Sequence, residues 1–207
     1  MYSHSKQIRE SGLPLSEAKK AIIMLHGRGT SAESIISLAA ELNLKDAAIL
    51  APQATNNSWY PYSFLAQAEQ NQPALDSALQ LIDDLVKEIQ AAGVPLRKIY
   101  FLGFSQGACL ALEYVARHAA AYGGVIAFTG GLIGEKLDLS NYSGDFAHTP
   151  IFISTGNPDP HVPLERVQES VSILEKLNAE VSLKVYNGRP HTIQFQEIDL
   201  ANKLVLA

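Results

Sequence analysis

Five residues, Gly103-Phe104-Ser105-Gln106-Gly107, sit between the apolar run Lys98-Ile-Tyr-Phe-Leu102 and the Ala/Leu-rich run Ala108-Cys-Leu-Ala-Leu112. A serine with glycine two positions away on either side, after a strand pattern and before a helix pattern, reads as a nucleophile elbow. Such a turn holds its central residue in strained backbone geometry, and the glycines let neighbouring backbone pass close by. Ser105 is therefore the candidate nucleophile. A serine hydroxyl attacks poorly at neutral pH unless a base takes its proton, and that base needs a third group to orient it. The rest of the chain has to supply a histidine and an acid.

Of the six histidines, His4 lies in the polar N-terminal stretch, His118 ends a helical run, and His148 and His161 stand in loops beside prolines. His26 and His191 alone follow strand-like runs, in Leu25-His26-Gly27-Arg28-Gly29 and Tyr186-Asn-Gly-Arg-Pro-His191. On a strand-elbow-helix scaffold the chain order is nucleophile, acid, base, which selects His191. The acid then belongs at a strand end between Ser105 and His191. Asp159 meets that requirement in Ser154-Thr-Gly-Asn-Pro-Asp159-Pro-His-Val-Pro163, whereas Asp138 and Asp145 have no strand pattern directly before them. An isolated Asp beside prolines is ordinarily a turn residue. Here its order and its strand-end position favour catalysis.

Attack on a carbonyl also needs donors where negative charge develops. The glycine-flanked loop after the first apolar strand offers the Arg28 backbone N–H, and the residue after the nucleophile offers that of Gln106, together an oxyanion hole. The Arg28 guanidinium is expected to make a surface ion pair, with a carboxylate or phosphate on the substrate as the alternative. The irregular stretch 52–72 holds the only Trp, and a structureless run of that length usually serves a site. Trp59, Tyr60 and Phe64 are placed on the pocket wall from that stretch, with core packing that anchors the loop as the alternative, and Val162 from the Asp159 turn. Cys109, the only cysteine, reads as a small buried hydrophobe. No histidine or cysteine spacing suits a metal, so no metal is expected.

These residues need strands and helices to carry them. Apolar strand-like runs 21–26, 47–51, 98–103, 124–128, 151–154 and 181–186 alternate with helical periodicity at 31–42, 73–92, 106–118, 164–177 and 193–206. Alternation of this kind predicts a three-layer α/β fold with a mostly parallel sheet, as one domain over 1–207. The composition, 47% hydrophobic and 18% charged, fits a compact globular chain. A formal net charge of −5 without basic clusters argues against nucleic acid. No apolar run approaches the roughly 20 residues of a membrane span. The polar N-terminal stretch and the lone cysteine lead to the expectation of a cytoplasmic protein.

The ordered set Leu25-His-Gly-Arg-Gly29, Ala51-Pro-Gln53, Gly103-Phe-Ser-Gln-Gly-Ala108, Asp159-Pro-His-Val-Pro163 and Gly188-Arg-Pro-His191 resembles the phospholipase/carboxylesterase family of α/β hydrolases, whose best-known members are acyl-protein thioesterases. The resemblance implies a lidless hydrolase of esters or thioesters without a cofactor, often a homodimer. It assigns Ser105, Asp159 and His191 as triad, and the Arg28 and Gln106 amides as oxyanion donors. The thioesterase members commonly carry an apolar residue where this chain has Arg28, which points to a smaller or more polar substrate than a long acyl chain. Dienelactone-hydrolase relatives use a Cys nucleophile, unlike Ser105. Acyl transfer to an alcohol and lyase chemistry could use the same scaffold, and a catalytically silent binding protein could retain it.

Overall fold

The computed structural model describes residues 2–207. In chain order the strands are β1 (Ile8–Gly12), β2 (Lys20–Leu25), β3 (Ala47–Pro52), β4 (Ile99–Phe104), β5 (Gly124–Phe128), β6 (Pro150–Asn157) and β7 (Glu180–Asn187). The helices are α1 (Ala32–Ile36), α2 (Ala74–Ala91), α3 (Gln106–Arg117), α4 (Leu164–Lys176) and α5 (Phe195–Leu204). The strands form one sheet in the order β1-β3-β2-β4-β5-β6-β7, parallel except for β1, which pairs antiparallel with β3.

The central strands are apolar throughout because both faces of the sheet are covered. Along β2, Ala21, Ile23 and Leu25 join the core shared with α2, α3 and α4, while Ile22 and Met24 join the core under α1 and α5. The period-2 alternation of a strand thus divides one continuous apolar run between two layers of helix. α2 buries Leu75, Ala78, Leu79, Ile82, Leu85, Val86 and Ile89, a stripe at helical spacing that fits one side only.

Three elements differ from their expected form. β1 carries the sequence Ile-Arg-Glu-Ser-Gly with only Ile8 partly buried, so it has no apolar pattern to announce it. Its membership of the sheet rests on backbone pairing, Ile8 opposite Pro52 through Gly12 opposite Ala48. The helix expected over 31–42 stops at Ile36 and continues as a 3-10 turn, Ser37–Glu41. β6 runs to Asn157, past the expected end at 154, and so carries the chain almost to Asp159.

Chain order along the sheet reverses beside β2, which lies between β3 and β4. A crevice opens at the carboxyl ends of strands at such a point. The segments leaving β2, β4, β6 and β7 there bring Arg28, Ser105, Asp159 and His191 to one end of the sheet.

Candidate active site

Ser105 sits at φ 54° and ψ −117°, outside the regions an L-residue normally occupies. Strain of this kind costs about 1–3 kcal/mol and persists where the surroundings hold it. The Ser105 N–H donates to Phe128 O on β5 at 2.9 Å. A Cβ on Gly103 would come within 2.3 Å of Gly107 O, and one on Gly107 within 2.1 Å of Leu25 O. Strand, helix and the neighbouring strand therefore meet too closely here for anything larger than glycine.

Asp159, Ser105 and His191 come together. His191 Nε2 lies 2.9 Å from Ser105 Oγ, and Nδ1 lies 2.9 and 3.1 Å from the two Asp159 oxygens. A carboxylate only accepts, so Nδ1 carries the ring proton and Nε2 is left to accept from the serine hydroxyl. The Asp159 side chain is fully buried, and its Oδ1 also accepts from the His161 and Val162 N–H groups at 2.9 and 3.0 Å. Burial alone would raise its pKa. The hydrogen bonds from His191, His161 and Val162 outweigh that, and the carboxyl is held below its ordinary value.

The loop bearing His191 is tied down from beneath. Arg189 and Glu197, 1% and 0% exposed in their side chains, form an ion pair at 3.8 Å. Arg189 Nη2 donates to Thr129 Oγ1 at 2.6 Å and Nη1 to the carbonyls of Thr192 and Pro190. Glu197 accepts from Ser154 Oγ at 2.5 Å and from the Gln194 N–H at 2.8 Å. Sequence reasoning missed this network, because a polar loop residue and a helical Glu give no sign of burial until the fold joins them.

His26, the other strand-end histidine, is buried away from Ser105's partners. Its Nε2 accepts from the Ala54 N–H at 3.1 Å and its Nδ1 faces Gly27 O at 2.8 Å, an arrangement that suits the neutral ring. Burial lowers its pKa more than the Gly27 carbonyl raises it. His4 is no free terminal residue either. Its Nδ1 accepts from the Thr55 N–H at 3.1 Å and its Nε2 bonds Trp59 O at 2.9 Å.

Neither the Arg28 nor the Gln106 N–H meets an acceptor among the described residues, as donors meant for a ligand require. The Gln106 side chain ties the elbow to the long loop, accepting from the Trp59 N–H at 2.9 Å and donating to Tyr60 O at 2.8 Å. Buried Asn71 accepts from the Tyr62 N–H and donates to Ser63 O, each at 2.9 Å. A cleft of about 420 Å³ lies beside Ser105, with Tyr60, Phe64, Val162, Phe104 and Cys109 among its walls.

Trp59 is not one of those walls. It is fully buried behind them, its indole N–H donating to His26 O at 2.9 Å and its ring 5.0 Å from the His26 ring. A Trp in a loop can anchor or line, and here its hydrogen bond and packing make it an anchor. The expected surface ion pair of Arg28 is also absent among the described residues, since its guanidinium donates only to Ser58 Oγ and the carbonyls of Pro61 and Tyr62. Cys109 is buried, and burial pushes its thiol up to about 12, so it stays protonated despite bordering the cleft.

The mostly parallel sheet, its two helical layers and the strained strand-to-helix serine define an α/β-hydrolase fold. A phospholipase/carboxylesterase family model matches residues 12–205, and the chain belongs to that family. A crystal structure of a phospholipase/carboxylesterase from Dyadobacter fermentans is 65% identical and superposes with a TM-score of 0.99, covering 100% of this chain and 99% of that one. Acyl-protein thioesterase 1 of Yarrowia lipolytica is 28% identical over 93% of this chain and 94% of its own. The Bacillus cereus carboxylesterase structure, at 19% identity and a TM-score of 0.77 over 96% and 92% of the two chains, shares the fold. The protein is a carboxylesterase/phospholipase-type hydrolase. No helix of the described residues is long and apolar enough to cross a membrane.

Proposed function

We propose that the protein hydrolyses carboxylic esters, and thioesters of similar size, through an acyl-enzyme on Ser105. His191 Nε2 takes the hydroxyl proton as Oγ attacks the carbonyl. Asp159 holds the Nδ1–H tautomer and stabilises the imidazolium that forms. The Arg28 and Gln106 N–H groups receive the oxyanion, and His191 returns the proton to the leaving group. Water then repeats the sequence on the acyl-enzyme and releases the acid.

The observation that carries this reading is the unbroken relay of short contacts from Asp159 through His191 to Ser105, at 2.9 Å on each side of the imidazole. A cleft of about 420 Å³ suits small to medium substrates. The buried, protonated thiol of Cys109 fits a reducing compartment, and the cytoplasm is the setting proposed.

The test is hydrolysis of a short-chain 4-nitrophenyl ester by Ser105→Ala. Activity should fall on the order of 10⁴-fold or more, leaving what binding and the oxyanion donors supply. A fluorophosphonate probe should label the wild type at Ser105 and leave the variant unlabelled. Undiminished turnover by Ser105→Ala overturns the assignment.

A further inference from the structure

Arg28 is fixed in an unusual way for a surface arginine. Its Nη1 donates to Ser58 Oγ at 3.0 Å and Pro61 O at 2.8 Å, and its Nη2 donates to Tyr62 O at 2.5 Å. All three acceptors are neutral, so the side chain is ordered while its charge is uncompensated. The group packs over the Tyr60 ring, 5.9 Å from its centroid, a further contact that holds it without cancelling charge. A guanidinium has five N–H donors, so the Nε–H and the second Nη2 hydrogen remain without acceptors among the described residues. The Nε–H lies on the edge of the plane where a carboxylate docks, and the remaining Nη2 hydrogen gives the group a second free donor for an anion.

The surroundings give those donors a purpose. Arg28, Pro61 and Tyr62 all line the cleft that contains Ser105, and no Asp or Glu stands among its walls. The chain as a whole carries a formal net charge of −5, which disfavours anions. A cation pre-ordered at the mouth of the cleft, in an acidic protein and away from any carboxylate wall, is spent unless a ligand supplies the counter-charge. Resting on the hydrolase reading above, we propose that the preferred substrates are esters bearing a carboxylate, held by the free donors of Arg28 while Ser105 meets the carbonyl.

The experiment compares charged and neutral esters of the same shape. On the acyl side the pair is 4-nitrophenyl hydrogen adipate and its methyl ester, and on the leaving-group side 4-acetoxybenzoate and its methyl ester. In each pair the ratio of kcat/KM, anionic over neutral, is measured for wild type, Arg28→Gln and Arg28→Lys. In at least one pair Arg28→Gln should lower the ratio about five- to tenfold, with Arg28→Lys between it and wild type. A general loosening of the 58–62 loop would slow both esters of a pair and cancel in the ratio.

Wild-type enzyme supplies a second readout that depends on no variant. KM for the anionic ester of the responding pair should rise with ionic strength while that of its neutral partner stays flat, because screening weakens the attraction to Arg28. If both ratios are the same in wild type and Arg28→Gln, or if KM for the anionic esters falls with salt, the substrate proposal is overturned. The hydrolase reading fails separately, through Ser105→Ala turning over the neutral esters at the wild-type rate.

Discussion

The two segments that border the cleft beside Ser105 are immobilised by different chemistry. The His191 loop rests on a buried ion pair, Arg189 with Glu197, whose remaining bonds reach Thr129 after β5 and Ser154 on β6. The Trp59 to Phe64 segment is held by neutral amides, Gln106 to Trp59 and Tyr60 and Asn71 to Tyr62 and Ser63, with Arg28 donating to carbonyls above them. On the histidine side both charges are matched inside the protein. On the loop side the one charge present is matched by nothing. In the proposed reaction the base keeps one geometry through both half-reactions, which a charge-paired network under it favours. A wall that binds the proposed substrate has to leave something unsatisfied for it to satisfy.

The largest effect should come from breaking the charge-paired side. Glu197→Ala strands the Arg189 guanidinium in the interior and removes the acceptor of Ser154, and should cost about 3–5 kcal/mol of stability by chemical denaturation. Glu197→Gln keeps the shape and should cost less. The surviving folded Glu197→Gln enzyme should show a lower kcat with KM little changed, because in the proposed reaction the ring it misplaces acts in the chemical step. A loss under about 1 kcal/mol for the alanine variant would erase the distinction between the two sides.

Much of this architecture was legible from residue order alone. Continuous apolar runs placed β2 to β6 within a few residues because a strand buried on both faces leaves no room for polar residues. The convergence of Ser105, Asp159 and His191 followed from their types and order, since strand ends bring such residues to one edge of the sheet. What escaped was whatever depends on contacts between distant segments. β1 is held by backbone pairing along a polar sequence, with no side-chain pattern. Arg189 and Glu197 look like ordinary surface residues until β5, β6 and α5 close over them. Trp59 and Tyr60 are adjacent in an aromatic loop, and contacts with the distant His4, His26 and Gln106 turn the first inward while the second borders the cleft.

A smaller and pH-dependent effect belongs to Asp159. Its folded pKa is depressed, so its ionised form contributes stability that is fully present above the unfolded value near about 3.9 and is lost as pH falls through the lower folded value. Unfolding free energy of the wild type should therefore decline below about pH 4 with an added slope of up to about 1.4 kcal/mol per pH unit from this group. Asp159→Asn should lack that component. Parallel acid limbs for the two proteins, measured by urea denaturation from pH 5 to about 2.5, would mean that the hydrogen bonds from His191, His161 and Val162 do not favour the ionised acid.

The smallest effect tests the loop side at its most enclosed point. Tyr60 is 1% exposed, and among the described residues its hydroxyl meets no stronger acceptor than the weak Cys109 thiol. Burial raises its pKa well above the usual tyrosine value, so the group stays a neutral donor. A buried donor left unmade costs about 1–3 kcal/mol, and removing it without changing the ring's shape returns part of that. Tyr60→Phe should therefore be neutral or more stable by up to about 1 kcal/mol, with Arg28 still packed over the ring. A loss of more than about 1 kcal/mol in the same denaturation assay would mean that the hydroxyl is satisfied after all. Arg28 would then stand alone as the unmet group on the loop side.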